Sequence, residues 1–448
     1  MTAAGGRRAL HTELMRGTAP YAALAFAASG AVMLFNETEQ WAGRWAPLAE
    51  YVRVMLIVLV PLAVAAGTWQ AGRERRRRIV ELLGSTPRPR WQQVVIAWAA
   101  VTIGMSAGLL AVWISGAVLV APVATYPGRN WWWTLIVAIL GLAAGSAIGV
   151  AIGSLIPGRI VAPLVGLACY VVLGVVAYQS SPGYTWLSPT LGYTTDGGQY
   201  LPLSFQLLQG LWLAALTATI LVLVGARQKL WALLPAGMAV AAAIPIVSGP
   251  GYDRWISDPV AREPTCVAGP PEVCLARINA FLLDEFAPRA QAALDRWAGV
   301  PGGFVRAVDS STRDEGERGQ WPDRTVAVSV TRYATAVGGL SPQDEYEWKL
   351  TDEFASAAAN IAVPYCDEFE TESADAVQAM NVAYLWAGGE VPAGVIGGEP
   401  SPDLYLDRLL ALPETEQKAW MGRYLAASKK CDDSAMAELV AELASSRK

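Results

Sequence analysis

Apolar runs of membrane length recur through the first 248 residues, at about Ala19 to Phe35, Tyr51 to Gln70, Gln93 to Val120, Trp132 to Ile156, Ile160 to Tyr178, Phe205 to Gly225 and Leu230 to Val247. Crossing a hydrocarbon layer of ~30 Å takes about 20 helical residues, so the pattern predicts seven transmembrane helices. From Gly251 onward the runs are shorter. Val273 to Trp297 reads as a helix, or two helices parted at Pro288, with Leu275, Ile278, Phe281, Leu282 and Phe286 along one face. Gly303 to Val308 and Thr325 to Thr331 read as strands. Helices are expected at about Asp344 to Ile361, Ser373 to Trp386, Pro402 to Leu412 and Pro413 to Ser428, and again at the C-terminus. The expected fold is a polytopic α-helical membrane protein followed by a soluble, helix-rich α+β domain. Its divisions are a tail (1–18), a membrane domain (19–248) and an extracytoplasmic domain (249–448).

Composition agrees with that division: 53% of residues are apolar, 16% are charged, and there are 18 tryptophans. Residues 1–249 carry 16 Lys+Arg against 7 Asp+Glu, and residues 250–448 carry 18 against 32. The overall charge of -5 therefore averages a basic body and an acidic one, and no sustained basic face exists for nucleic acid.

The basic residues also orient the spans. Arg7, Arg8 and Arg16 lie in the tail, seven arginines lie between the second and third runs, and Arg159, Arg227 and Lys229 fall in later turns on the same side. These loops are expected in the cytoplasm of a plasma-membrane protein, with the C-terminal domain outside. Trp41, Trp45, Trp131, Trp132, Trp133 and Trp186 would mark the outer interface, and Trp69, Trp91 and Trp231 the inner one. Leu10 and Leu14 beside the tail arginines allow either a short amphipathic helix on the inner surface or a plain solvated tail.

Cys266, Cys274, Cys366 and Cys431 all lie in the C-terminal domain, which suits two disulfides in an oxidising compartment. Three connectivities are open to four cysteines; the short loop through Gly269, Pro270 and Pro271 favours Cys266 with Cys274, which would leave Cys366 for Cys431. Gly141, Gly145, Gly149 and Gly153, four residues apart, form one helix face that another helix can approach closely, and Gly104 and Gly108 repeat the device.

Catalytic chemistry is sparsely represented. The lone histidine, His11, is in the tail, and the chain has no phosphate-loop GxxxxGK[ST] and no HExxH helix. No enzyme activity, metal or cofactor is expected. Asp309, Asp314, Glu315, Glu317 and Asp323 make an acidic stretch, but Arg313, Arg318 and Arg324 interrupt it, so it reads as a solvated loop rather than a calcium site.

The most informative segment joins the second and third spans. It contains Arg73, Glu74 and Arg75, then Glu81, Leu82, Leu83, Ser85, Thr86 and Pro87, and finally Arg90. This order resembles the ABC type-2 permease family, the membrane subunits of exporters whose ATPase is a separate chain. Arg78 and Ile79 stand where that family has Gly-Thr. The resemblance implies that Arg73, Glu74, Arg75, Glu81, Leu82, Leu83, Thr86, Pro87 and Arg90 belong to a coupling element that touches the ATPase. It also implies a six-span core, so that the seventh span carries the C-terminal domain outward, and a homo- or heterodimer of permease subunits. The expected function is therefore an ATP-driven exporter permease, in contact with membrane lipid, whose outer domain binds or gates the substrate. The alternative is a membrane-anchored sensory or immunity protein whose outer domain binds a ligand without transport.

Overall fold

The computed structural model describes residues 3–16, 19–76, 89–156, 158–177, 183–249, 254–267, 269, 271–313, 321–340, 355, 374–388 and 402–445, with backbone alone at 3–7, 16, 74–76, 332–333, 374 and 402–403. The chain forms two compact units, Met1–Asp258 and Pro259–Lys448.

The first unit is helical. Its helices are α1 (Ala3–Arg16), α2 (Ala19–Asn36), α3 (Trp45–Arg76), α4 (Arg90–Val120), α5 (Trp131–Leu155), α6 (Val161–Ala177), α7 (Leu203–Gly225) and α8 (Leu233–Ser248). Among the described residues six helices are long and apolar enough to cross a membrane: Ala19–Asn36, Trp45–Arg73, Arg90–Val120, Trp131–Leu155, Leu203–Gly225 and Lys229–Ser248. The remaining apolar run, read as a fifth span, forms the 17-residue α6, about 26 Å long. Leu164, Leu167, Val171 and Val175 of α6 are exposed, as on a surface that faces hydrocarbon tails. The tail segment is helical rather than plain coil.

Helix α3 lies at the centre, and the glycines of α5 decide how closely it is packed. A Cβ at Gly145 would lie 3.0 Å from Val60 Cγ1, and one at Gly149 would meet the Val64 carbonyl oxygen. One at Gly153 would meet the Thr68 carbonyl oxygen, and from the opposite side Gly67 would place its Cβ 2.5 Å from the Ser146 carbonyl oxygen. Without a hydrophobic drive between helices in lipid, such backbone contact replaces it with dispersion. Helix α4 joins through Trp98 Nε1, which donates to the Ala143 carbonyl at 2.9 Å, and through a 2.6 Å hydroxyl pair between Thr102 and Ser146. Gly104 and Gly108 bring α4 onto α2, where added Cβ atoms would lie 3.1 Å and 2.9 Å from the carbonyl oxygens of Ala19 and Ala23.

A two-stranded ribbon, β1 (Gln199–Tyr200) with β2 (Ile256–Ser257), closes this unit. That pairing draws the chain back after α8, so the division between units falls after Asp258 rather than at residue 249.

The second unit is built on a four-stranded sheet ordered β3 (Pro264–Val267), β4 (Glu272–Ala276), β5 (Arg306–Asp309) and β6 (Thr325–Val328). β3 and β4 are antiparallel, whereas β4, β5 and β6 run parallel. Helix α9 (Leu283–Asp295) connects β4 to β5 and buries Leu283, Phe286, Ala287, Ala290 and Leu294. Among the described residues four C-terminal helices follow: α10 (Ala374–Trp386), α11 (Pro402–Leu410), α12 (Glu414–Ser428) and α13 (Asp433–Ser445).

Here the helix expected over Val273 to Trp297 is corrected. Val273 to Ala276 belong to a central strand, Arg277–Leu282 form a 3-10 turn, and the helix starts only at Leu283, with Pro288 inside it. A short apolar run buried on both faces carries no period, so Val273, Leu275 and Ala276 could not be told from a helical face by spacing alone. The helix expected at Asp344 to Ile361 lies outside the described residues except for Ala355.

Candidate functional site

Between α6 and α7 the chain does something a simple helical hairpin does not. The segment from Gly183 to Pro202 returns into the bundle with irregular backbone, and Pro189 reaches Gly141, where an added Cβ would lie 2.5 Å from Pro189 Cβ. Gly141 is ten residues along α5 from Trp131, a depth of about 15 Å. Irregular backbone at such depth is tolerated only when protein groups satisfy its polar atoms. They do so here. Trp212 Nε1 donates to the Leu187 carbonyl at 3.0 Å, and Gln209 Nε2 donates to the carbonyls of Trp186 at 2.8 Å and Ser188 at 2.9 Å. Arg53 Nε donates to the Pro189 carbonyl at 2.9 Å. Glu50 accepts from both the backbone N–H and the hydroxyl of Thr195, each at 2.8 Å.

Glu50 and Arg53 are the core of this site. They sit three residues apart on α3 and are 3% and 0% exposed, and no ion pair within 4.0 Å joins them among the described residues. Each instead grips the returning segment. Arg53 also donates from Nη2 to Gln209 Oε1 at 3.1 Å, while its Nη1 is buried and has no acceptor. Gln206 completes the polar layer, donating to the Leu201 carbonyl at 3.0 Å and accepting from Thr134 Oγ1 at 3.3 Å. Sequence analysis missed Glu50 and Arg53 because the apolar run was started at Tyr51, leaving both at its edge. The interfacial Trp45, where α3 actually begins, was the signal that both lie inside the span.

The same segment is tied to the strand that leads into the second unit. Besides the ribbon of β1 and β2, Asp258 N–H donates to the Gly198 carbonyl at 2.8 Å. The Asp258 carboxylate, 2% exposed, accepts from Tyr126 Oη at 2.6 Å and lies 3.4 Å from Arg129 Nε. Burial, reinforced by the hydrogen bond to Asp258, pushes the Tyr126 hydroxyl up to about 12. Nearby, Trp131 stacks between Trp45 and Trp113 with centroids 5.5 Å and 5.4 Å away.

The residues assigned to the coupling element stand as follows. Arg73, near the end of α3, forms a 2.6 Å ion pair with Glu13 of α1, and Gln70 Nε2 donates to the same carboxylate at 3.0 Å. Arg90 opens α4 and is exposed. Glu74 and Arg75 are in the helical backbone of α3, but their side chains lie outside the described residues, as do Glu81, Leu82, Leu83, Thr86 and Pro87 entirely. Gly141, Gly145, Gly149 and Gly153 all face neighbouring groups of the same chain, the first against Pro189 and the others against α3.

In the second unit Cys266 and Cys274 form a disulfide across directly paired positions of β3 and β4. Cys431 is also disulfide-bonded, whereas Cys366 lies outside the described residues. The acidic stretch is divided by the fold. Asp309 is fully buried and accepts from Asn279 Nδ2 at 2.7 Å, Ser311 N at 3.0 Å and Ala276 N at 3.2 Å, whereas Asp323 pairs with Lys429 at 3.0 Å. Asp314, Glu315 and Glu317 lie outside the described residues. The metal-type cluster found among the described residues, Cys266, Glu272 and Cys274, has both sulfurs committed to the disulfide and Glu272 paired with Arg306 at 2.6 Å.

Compared with protein-family models, curated proteins and solved structures, the chain matches none.

Proposed function

We propose that this chain is the membrane permease of an ATP-driven exporter, working with a separate ATPase that docks on the loop between α3 and α4. The observation that carries the reading is that loop: Arg73-Glu-Arg, then Glu81-Leu-Leu and Thr86-Pro, in the order of the coupling element of ABC type-2 permeases. The helices that hold it support the assignment. From Trp45 to Trp69 α3 runs through 25 residues, a rise of about 36 Å, enough to cross a membrane, and Arg73 to Arg76 continue beyond it. Trp69 and Trp91 are both exposed beside the loop, as interfacial anchors are. The loop therefore emerges on the cytoplasmic side under the basic-residue rule, where an ATPase can reach it.

On this reading nucleotide binding moves the partner ATPases, and the loop passes that motion to α3 and α4. Because α3 also carries Glu50 and Arg53, a shift of α3 changes the grip on the segment 183–202 at the opposite end of the same helix. The ribbon of β1 and β2 carries the change on to the strand that enters the extracytoplasmic domain. Two permease subunits would line one pathway for an amphipathic or peptide-like substrate.

An affinity pull-down from native membranes tests the reading. The intact chain is expected to recover an ATPase, and a variant with Glu81, Leu82 and Leu83 all changed to Ala is expected to lose it. Well-folded intact chain that recovers no ATPase would sink the proposal.

A further inference from the structure

Arg53 is a cation held in the bundle with one nitrogen unused. Its side chain is 0% exposed, Nε and Nη2 are occupied by neutral oxygens of Pro189 and Gln209, and Nη1 has no acceptor. Among the described residues no carboxylate lies within ion-pair distance of it, and the neighbouring Glu50 spends Oε2 on Thr195. A buried charge whose nearest carboxylate, Glu50, is not in ion-pair contact is costly, and an unfilled buried donor adds to the cost. A fork of guanidinium N–H groups matches a tetrahedral oxyanion better than it matches one carbonyl and one amide oxygen. One of the two groups that fill it, the Pro189 carbonyl, belongs to an irregular segment kept in place by side-chain hydrogen bonds, whereas Gln209 is fixed on α7. The segment fits only because residue 141 is glycine: an added Cβ would lie 2.5 Å from Pro189 Cβ and 2.9 Å from Pro189 Cγ.

We propose that Arg53 is the binding group for a phosphate-bearing anion, and that the segment around Pro189 is a plug whose carbonyl oxygen stands in for that anion when the site is closed. The anion enters as Pro189 withdraws, taking Nη1 together with the donor that Pro189 releases. This inference deepens the export reading by giving its substrate path an anion-selective station. Binding itself needs no ATPase, so it is tested independently of the coupling loop.

The test uses the full chain in dodecyl maltoside and two probes, phosphatidylglycerol retained in native mass spectrometry and inorganic phosphate titrated by the fluorescence of Trp186 and its neighbours. Arg53→Gln should weaken binding by about tenfold, the scale of one charge-assisted hydrogen bond, and Arg53→Lys should lose less. Gly141→Ala should tighten binding by roughly threefold, because the added methyl displaces Pro189 and removes part of the cost of opening. Retention of the lipid without a response to phosphate identifies a lipid headgroup as the ligand, and a response to both identifies phosphate itself. Binding unchanged in Arg53→Gln overturns the proposal, as does failure of both the native chain and Gly141→Ala to bind either probe. Should Arg53→Gln not fold, the opposite sign required of Gly141→Ala still decides: binding no tighter than in the native chain contradicts a plug.

Discussion

Single residues set the chemistry of the membrane unit. Glu50 and Arg53 were invisible as a pair while the span was started at Tyr51, because hydropathy averages over a window and two charges near an edge are assigned to the loop. The tryptophan at position 45 held the missing information, since an interfacial ring marks where the hydrocarbon begins. What no spacing could show is that Thr195, Pro189 and Gln209, up to 156 residues away, would become their partners. Tyr126 yields a pH prediction of the same kind. Its folded value, about 12, lies above the ordinary 10.0, so the fold favours the neutral hydroxyl. The stability it contributes is complete below about pH 10 and is lost as pH rises toward about 12. Alkaline unfolding followed by tryptophan fluorescence should show this loss in the native chain and not in Tyr126→Phe. Parallel curves for the two proteins across that window would show that the contact with Asp258 contributes nothing.

At the scale of elements, the helices were legible and the β structure was only partly so. The seven apolar runs coincide with helices α2 to α8, six of which are long and apolar enough to cross a membrane, α6 being the shorter one. The four-residue glycine period also had a single geometric meaning, a close-approach face, though only the structure identifies α3 as the helix that uses it. Strand β4 was lost inside a predicted helix, since four of its five residues, Val273 to Ala276, are buried on both sides of the sheet and show no alternation. Two predictions belong here. Gly149→Val places a branched side chain against the Val64 carbonyl and should destabilise the bundle by about 3 kcal/mol or abolish folding. Gly174→Val on α6, where a Cβ would meet nothing within 4 Å, should leave the thermal midpoint unchanged. Equal behaviour of the two variants would contradict the packing described for α5. The disulfide between Cys266 and Cys274 closes a loop of separation 8, which in the chain-entropy account stabilises by about 2.5 kcal/mol. Replacing both by serine should lower the unfolding midpoint of the second unit, and an unaltered midpoint would assign its stability elsewhere.

For the whole molecule, the change from a basic, apolar first half to an acidic second half suggests a division of the chain, and the fold has two compact units, Met1–Asp258 and Pro259–Lys448. The first unit runs on to Asp258 because β2 pairs backward with β1, a contact between Gln199 and Ser257 and between Tyr200 and Ile256 that composition cannot encode. The proposed function rests on the segment between α3 and α4, where a short ordered set of charged and apolar residues resembles a known coupling element. One long helix, α3, leads into that segment at one end and grips the returning segment at the other. Photo-crosslinking from the loop in native membranes tests this most directly. With a benzophenone amino acid at Leu83, the account predicts an adduct with a nucleotide-binding protein whose yield changes when ATP is added, and no such adduct from the same probe at Arg159. An adduct only with lipid, or equal adducts from both positions, would contradict it.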